Sequence, residues 1–363
     1  MARATWLVTG LIVFLSAGAA GVYLSQNASA PPDTGREIQQ LVARARRALE
    51  SNAFTDVVKL ARAVPDDSAD AADVRLWEGV ALWKLDRWQA AEDAWMRALG
   101  INPEVPEAGW RLLLVYFYEQ RFDEAEQLAL KLYPIEPDAG DRTRLLLELI
   151  RQDSERVGPE ATVMTLEPVL VHEPENFHAL RVIGLSYVQL GRTSDGADWI
   201  ERARRLRPDD LDGWFTWVWY LFETGKMEKL AAAWDEMPAA AREQTRFLRY
   251  QGMWAEATGD SAAAERAYRS ALEHDPADRK AHYQLARLLR ADGKETDAEK
   301  HEAEARELDD AREALAAAYL RTTQSNNEVS SQDCREFGRW CRRLWRTRQA
   351  ELWEKEASRR PAP

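Results

Sequence analysis

The 363-residue sequence predicts an all-α protein made of repeated units, and three observations carry that prediction. The composition is 45% hydrophobic and 30% charged, rich in Ala, Leu, Glu and Arg and poor in β-branched residues, which favours helix over strand. Segments that close on a proline recur at a fixed spacing: Pro103 to Pro137 and Pro174 to Pro208 are each 34 residues apart, and Pro208 to Pro276 is 68. Inside these segments apolar residues fall at helical spacing, giving each helix a buried face. A period of this length means units that bury their apolar faces only by stacking on their neighbours.

The first element is N-terminal to the repeats. Residues 4–24 carry no charge, and as a 21-residue helix at ~1.5 Å per residue they would span about 31 Å, enough to cross a bilayer. Arg3 precedes the run and no positive charge follows until Arg36. By the positive-inside rule the N-terminus then stays in the cytoplasm and the bulk of the chain lies outside, in the periplasm or its equivalent. The competing reading is a cleaved signal segment ending at Ala28-Ser29-Ala30, whose small residues suit signal peptidase, although Pro31 is a poor first residue for a mature chain. Residues 25–35 read as a linker.

The repeat array runs from 36 to 322, beginning with a degenerate copy at 36–65. The frame is clear in "WKLDRWQAAEDAWMRALGINP" and "FYEQRFDEAEQLALKLYPIEP", and clearest at Gly184, Tyr187, Gly191, Ala203 and Pro208 and again at Gly252, Gly259, Ala264, Tyr268, Ala271 and Pro276. Gly184 and Gly252 let two helices approach closely, Gly191 and Gly259 end the first helix of a pair in a left-handed cap, and the proline follows the second helix. These residues resemble the tetratricopeptide repeat. The resemblance implies a right-handed α-solenoid of about eight antiparallel helix pairs. Pro137 to Pro174 is 37 residues, so three extra residues are expected around Gly158-Pro159, in a copy that is weak throughout. The last copy lacks its proline and is expected to run into a capping helix near 309–321.

One element is unusually aromatic: "LDGWFTWVWYLFETG", residues 211–225. Asp212 and Glu223 flank a run about half the ~20 residues that a bilayer needs, so it must pack against protein. Trp214, Trp217 and Leu221 form one helical stripe, facing Leu230, Trp234 and Met237 of the next helix; Phe215, Trp219 and Phe222 form a second. The resemblance implies that this second stripe lines a concave groove. In the same frame the groove receives Trp83, then Trp110, Phe117 and Tyr118, then His178, Arg181 and Leu185. At its C-terminal end it receives Arg246, Arg249, Arg287 and Arg290. An aromatic groove with a basic end fits an extended or helical segment of a protein partner that carries apolar anchors and an acidic group. The alternative is burial of these aromatics against the array's own repeats, or association of two chains into a homo-oligomer. The asparagine-with-lysine carboxylate clamp of one branch of the family is not matched.

A polar linker at 323–332 leads to a tail at 333–363 that is basic and tryptophan-bearing, with nine Lys or Arg against four Glu between 334 and 360. It reads as a helix docked on the last repeat, or as an amphipathic segment that meets an anionic membrane or a partner. Cys334 and Cys341 are the only cysteines. Seven residues apart, they stand ~10.5 Å from each other along a continuous helix, so a disulfide requires a turn, which Gly338 can supply. Export favours that bond.

His172, His178, His274, His282 and His301 are scattered without metal-ligand spacing, and neither a phosphate-binding glycine loop nor a nucleophile elbow occurs. The formal charge of −12 opposes nucleic acid as a partner. The sequence therefore predicts a non-catalytic scaffold without metal or cofactor, tethered to the cytoplasmic membrane, facing the periplasm and binding a protein partner. A self-associating envelope component, or a cleaved and secreted repeat protein, is the alternative.

Overall fold

The computed structural model describes residues 35–154, 158–324 and 328–360, and among them it contains 19 α-helices and no strand. The expected membrane span at 4–24 lies outside the described residues. Among the described residues no helix is long and apolar enough to cross a membrane.

The helices follow one another as pairs. The first three are α1/α2 (Gly35–Glu50, Phe54–Arg62), α3/α4 (Ala71–Lys84, Trp88–Ile101) and α5/α6 (Pro106–Tyr118, Phe122–Leu132). Next come α7 (Ala139–Ser154) and α8 (Pro159–His172), then α9/α10 (Phe177–Gln189, Thr193–Leu206) and α11/α12 (Leu211–Glu223, Met227–Glu236). After the short α13 (Ala239–Arg242) come α14/α15 (Leu248–Ala257, Ser261–His274) and α16/α17 (Arg279–Ala291, Glu295–Gln324). The last described pair is α18/α19 (Ser331–Arg343, Thr347–Arg359). The result is an all-helical solenoid.

Local sequence explains the regularity. Within seven of these pairs the turn passes through the left-handed region at a fixed place: Asn52, Asp86 and Gln120 at φ 58°, 55° and 51°, then Gly191, Gly225, Gly259 and Gly293 at 78°, 66°, 85° and 75°. Within each run the positions are 34 apart, so the period seen in the prolines is also written in the backbone. A Cβ on Gly184 would stand 2.6 Å from the Ile200 side chain and one on Gly252 2.5 Å from the Tyr268 ring, so both positions require glycine for the helices to touch. Asn176, Asp210, Asp260 and Asp278 cap α9, α11, α15 and α16 through their side chains, each accepting from a free N–H of the first turn.

Two features depart from a plain solenoid. First, α7 does not pair with α8; it lies against α17 and α19 instead, and α8 packs on α9. The break coincides with the three extra residues. Beyond it the chain folds back on the early repeats: the Glu173 carboxylate accepts from the N–H groups of Gln89 and Ala90 at the start of α4, at 2.9 and 3.2 Å. Second, the basic tail is a helical hairpin of the same kind as the repeats. Trp345 holds the left-handed turn at φ 60°, Gly338 sits seven residues before it, and Ala350 and Ala357 sit five and twelve after, the offsets of Gly252, Ala264 and Ala271 from Gly259. This hairpin docks on α17 and also on the middle of the chain, beside α6 and α7, and not on the last repeat alone.

Its docking corrects the reading of the tail as a free amphipathic segment. Phe337, Cys341, Leu344 and Trp353 are buried in one core cluster with Leu145, Leu149 and Leu308. Four of its basic residues form ion pairs within the chain: Arg342 with Glu354, Arg343 with Glu304 and Glu307, and Arg359 and Arg360 with Glu356. The disulfide expectation is corrected as well. Cys334 and Cys341 are buried thiols on the unbroken α18, which runs straight through Gly338 because that glycine serves helix contact and not a turn.

Candidate interaction cleft

The two stripes of the aromatic helix separate as their spacing requires. Trp214, Trp217 and Leu221 are buried in a cluster with Leu230 and Met237, with Trp234 packed against it. Phe215, Trp219 and Phe222 are half-buried on the other face. Phe215 meets Phe247 and Tyr250 edge-on with ring centroids 5.9 and 5.5 Å apart, and Phe222 leans on Tyr250 at 5.4 Å.

Phe215 and Trp219 form the floor of an open cleft of about 620 Å³. Arg181 and Leu185 of α9 and Arg246, which the repeat frame assigns to the groove, stand round it together with Lys280 at the start of α16. The far wall is Gln120–Glu124, the turn between α5 and α6, which the frame does not place there. It arrives through the fold-back after α7, an event invisible to a 34-residue period. Arg181 marks the junction, because its Nη2 donates to the carbonyl oxygens of Glu119 at 2.6 Å and Gln120 at 3.4 Å.

The electrostatics of the cleft are mixed. Arg246 sits 4.6 Å over the Phe215 ring and donates to Asp212 at 2.6 Å. Lys280 faces Glu223 at 3.4 Å. Arg121 binds Glu92, Glu119 and Glu124. Glu119 is buried, which pushes its carboxyl up to about 7 despite the Arg121 guanidinium. His178 lies one turn before Arg181, and burial, with the guanidiniums of Arg121, Arg181 and Arg207, pushes its imidazole down to about 2.

The remaining predicted groove residues lie elsewhere. Trp83 stacks on Trp88 at 4.0 Å and packs with Tyr118, all three against Val163, Leu166 and Tyr187 of α8 and α9. Trp110 and Phe117 lie under Arg144 and Arg151 of α7, at 4.7 and 5.2 Å. The groove of the early repeats is thus filled by the chain itself. Nor do Arg249, Arg287 and Arg290 form an unpaired basic end. Arg249 makes two bonds to Asp278 at 2.7 and 2.6 Å, Arg287 pairs with Glu256, and Arg290 with Glu295 and Glu302. The acidic residues that neutralise them come from neighbouring elements: Asp278 caps α16, Glu256 lies on α14, and Glu295 and Glu302 lie on α17.

His282 and His301, on α16 and α17, come together with their Nδ1 atoms 2.9 Å apart. Among the described residues no group of three or more His, Cys, Asp and Glu could hold a metal ion.

Three stretches, 79–141, 165–210 and 251–312, match the model of the tetratricopeptide repeat family. The fold is similar to several solved structures. MamA from Desulfovibrio magneticus is 19% identical with a TM-score of 0.36, over 48% of this chain and 98% of that one. A thermophilic repeat protein from Thermus thermophilus is 18% identical with a TM-score of 0.32, over 60% and 99%. Pseudomonas aeruginosa pilF is 17% identical with a TM-score of 0.32, over 57% and 93%. No protein of curated function matches the sequence.

Proposed function

On the premise that the chain carries tetratricopeptide repeats, we propose that it is a non-catalytic scaffold that binds a segment of a partner protein in the cleft floored by Phe215 and Trp219. The observation that carries the reading is the contrast between the two halves of the inner surface. The aromatics of the early repeats are covered by the chain's own helices, whereas Phe215 and Trp219 remain half-buried around an open volume of about 620 Å³. Such a volume accommodates two or three side chains of an extended or helical segment. A photo-crosslinking amino acid at position 219 tests this in intact cells, with the same group at Met164, which is 75% exposed on α8, as control. Partner adducts at 219 that are absent at 164 are the expected result. Identical adducts at both positions, or adducts only to a second copy of the chain, would replace this reading with general stickiness or self-association.

The scaffold works from the outer face of a cytoplasmic membrane in this proposal, held by residues 4–24, whose uncharged run and preceding Arg3 support that orientation, and assembles envelope components there. A reporter fused after Pro363 that is active only outside the cytoplasm is the expected outcome. Activity of a cytoplasmic reporter at the same site would reverse the topology.

A further inference from the structure

Among the described residues, Arg181 is the one cation lining the cleft that no carboxylate pairs. Arg181 is 5% exposed and lines the cleft, yet its Nε has no hydrogen-bond partner and no described carboxylate forms an ion pair with it. Its other contacts are backbone carbonyls, which hold the guanidinium in place without cancelling its charge. Asp212 exerts the largest carboxylate pull on it, but that carboxylate is already engaged by Arg246. Burial holds the Arg181 pKa below the ordinary guanidinium value. One turn away on α9, the His178 Nε2 faces the Arg207 guanidinium at 3.4 Å and so accepts, which leaves the ring proton on a buried Nδ1 that also lacks a partner. A buried donor, and above all a buried charge, without a partner is destabilising unless a ligand completes it.

We propose that the cleft takes an acidic side chain of a partner segment, its carboxylate paired with Arg181 and an adjacent apolar side chain laid on Phe215 and Trp219. This rests on the reading of the cleft as a partner site. The mixed lining selects the ligand class: Asp123, Glu124, Asp212 and Glu223 stand in the same cleft and repel a doubly charged phosphate more than a single carboxylate. The aromatic floor beside the guanidinium selects a carboxylate attached to apolar surface over a free anion.

The test uses the full chain labelled at the arginine Nε and tryptophan indole nitrogens, followed by NMR. Its probes are N-acetyl-Leu-Glu-Leu-amide, the Leu-Gln-Leu analogue and inorganic phosphate, with the Arg181 signal assigned through Arg181→Lys. The expected result is that the Glu probe shifts the Arg181 Nε–H and Trp219 indole signals together and binds at least tenfold tighter than the Gln probe. That preference should disappear in Arg181→Gln. Because the acid and amide are compared on unaltered protein, a variant that folds poorly does not spoil the test. Equal binding of the two peptides would overturn the acidic preference while leaving the partner cleft standing. A shift with phosphate as large as with the Glu probe would make this a small-anion site and also overturn it. If neither peptide moves either signal the proposal falls, and the crosslinking at position 219 independently decides whether the cleft binds a partner at all.

Discussion

Trp217 and Trp219 stand two positions apart on α11 and have opposite surroundings. Trp217 is 8% exposed and stacks on Tyr220 at a centroid distance of 5.3 Å, inside a cluster with Leu221 and Leu230. Trp219 is half-buried on the cleft floor. Truncation of a buried aromatic removes its transfer free energy and leaves a cavity, so Trp217→Ala should cost ~3–5 kcal/mol of stability. Trp219→Ala removes surface already shared with water and should cost below about 1 kcal/mol. Chemical denaturation of the two variants measures both, and equal losses would mean that both rings belong to the core. That the two rings lie on different faces was legible from helical spacing, because period 3.6 separates positions 217 and 219 by about 200°, while the placing of the Trp219 face in a groove came from the resemblance to the repeat family. The pairing of Arg249 with Asp278 and of Arg287 with Glu256 was not legible, since it depends on which helix stands opposite.

Elements were readable where a local rule sets them. The glycines at 191 and 259 adopt the left-handed turn because the repeat demands it, and the same turn at Asn52, Asp86 and Gln120 is found only by carrying the frame backwards into copies without glycine. The final hairpin escaped for a related reason. Its turn residue is Trp345, a bulky side chain in a conformation that favours glycine, and it stands 52 residues after Gly293, out of step with the period. The elongated α17, 30 residues against 13 or 14 for most neighbours, supplies the offset. The replacement of α8 by α17 and α19 beside α7 was also hidden. A weak repeat announces that a helix has lost its usual partner, but the identity of the new partner is a long-range fact. The wall of the cleft at Gln120–Glu124 follows from that same event, so half of the site was legible and half was not.

At the scale of the whole molecule, the chain is tied across more than 200 residues by one carboxylate. Glu356 on α19 is fully buried. It accepts from Tyr133 at 2.6 Å, Arg142 at 3.0 Å, Arg359 at 2.8 Å and Arg360 at 2.9 Å, which joins the last hairpin to α6 and α7. Burial opposes its charge, but these four donors outweigh burial and hold the carboxyl down at about 2, against an ordinary 4.5. A carboxylate with a depressed native pKa contributes stability that is complete above its unfolded value and lost as pH falls through its native one. The contribution of Glu356 should therefore be whole above pH 4.5 and fade towards about pH 2. Glu356→Gln keeps the shape but leaves the surrounding arginines facing a neutral amide, which should cost about 3–5 kcal/mol at pH 7. The gap between variant and wild type should narrow steadily below pH 4.5, because acid makes the same change in the wild type. Melting curves from pH 7 to pH 2 measure the gap. Hydrogen exchange in the variant should show α18 and α19 opening together, ahead of α9 and α11, since the cleft helices do not depend on this closure. Unchanged stability at pH 7 would mean that apolar packing of Phe337 and Trp353 holds the hairpin without the ion cluster.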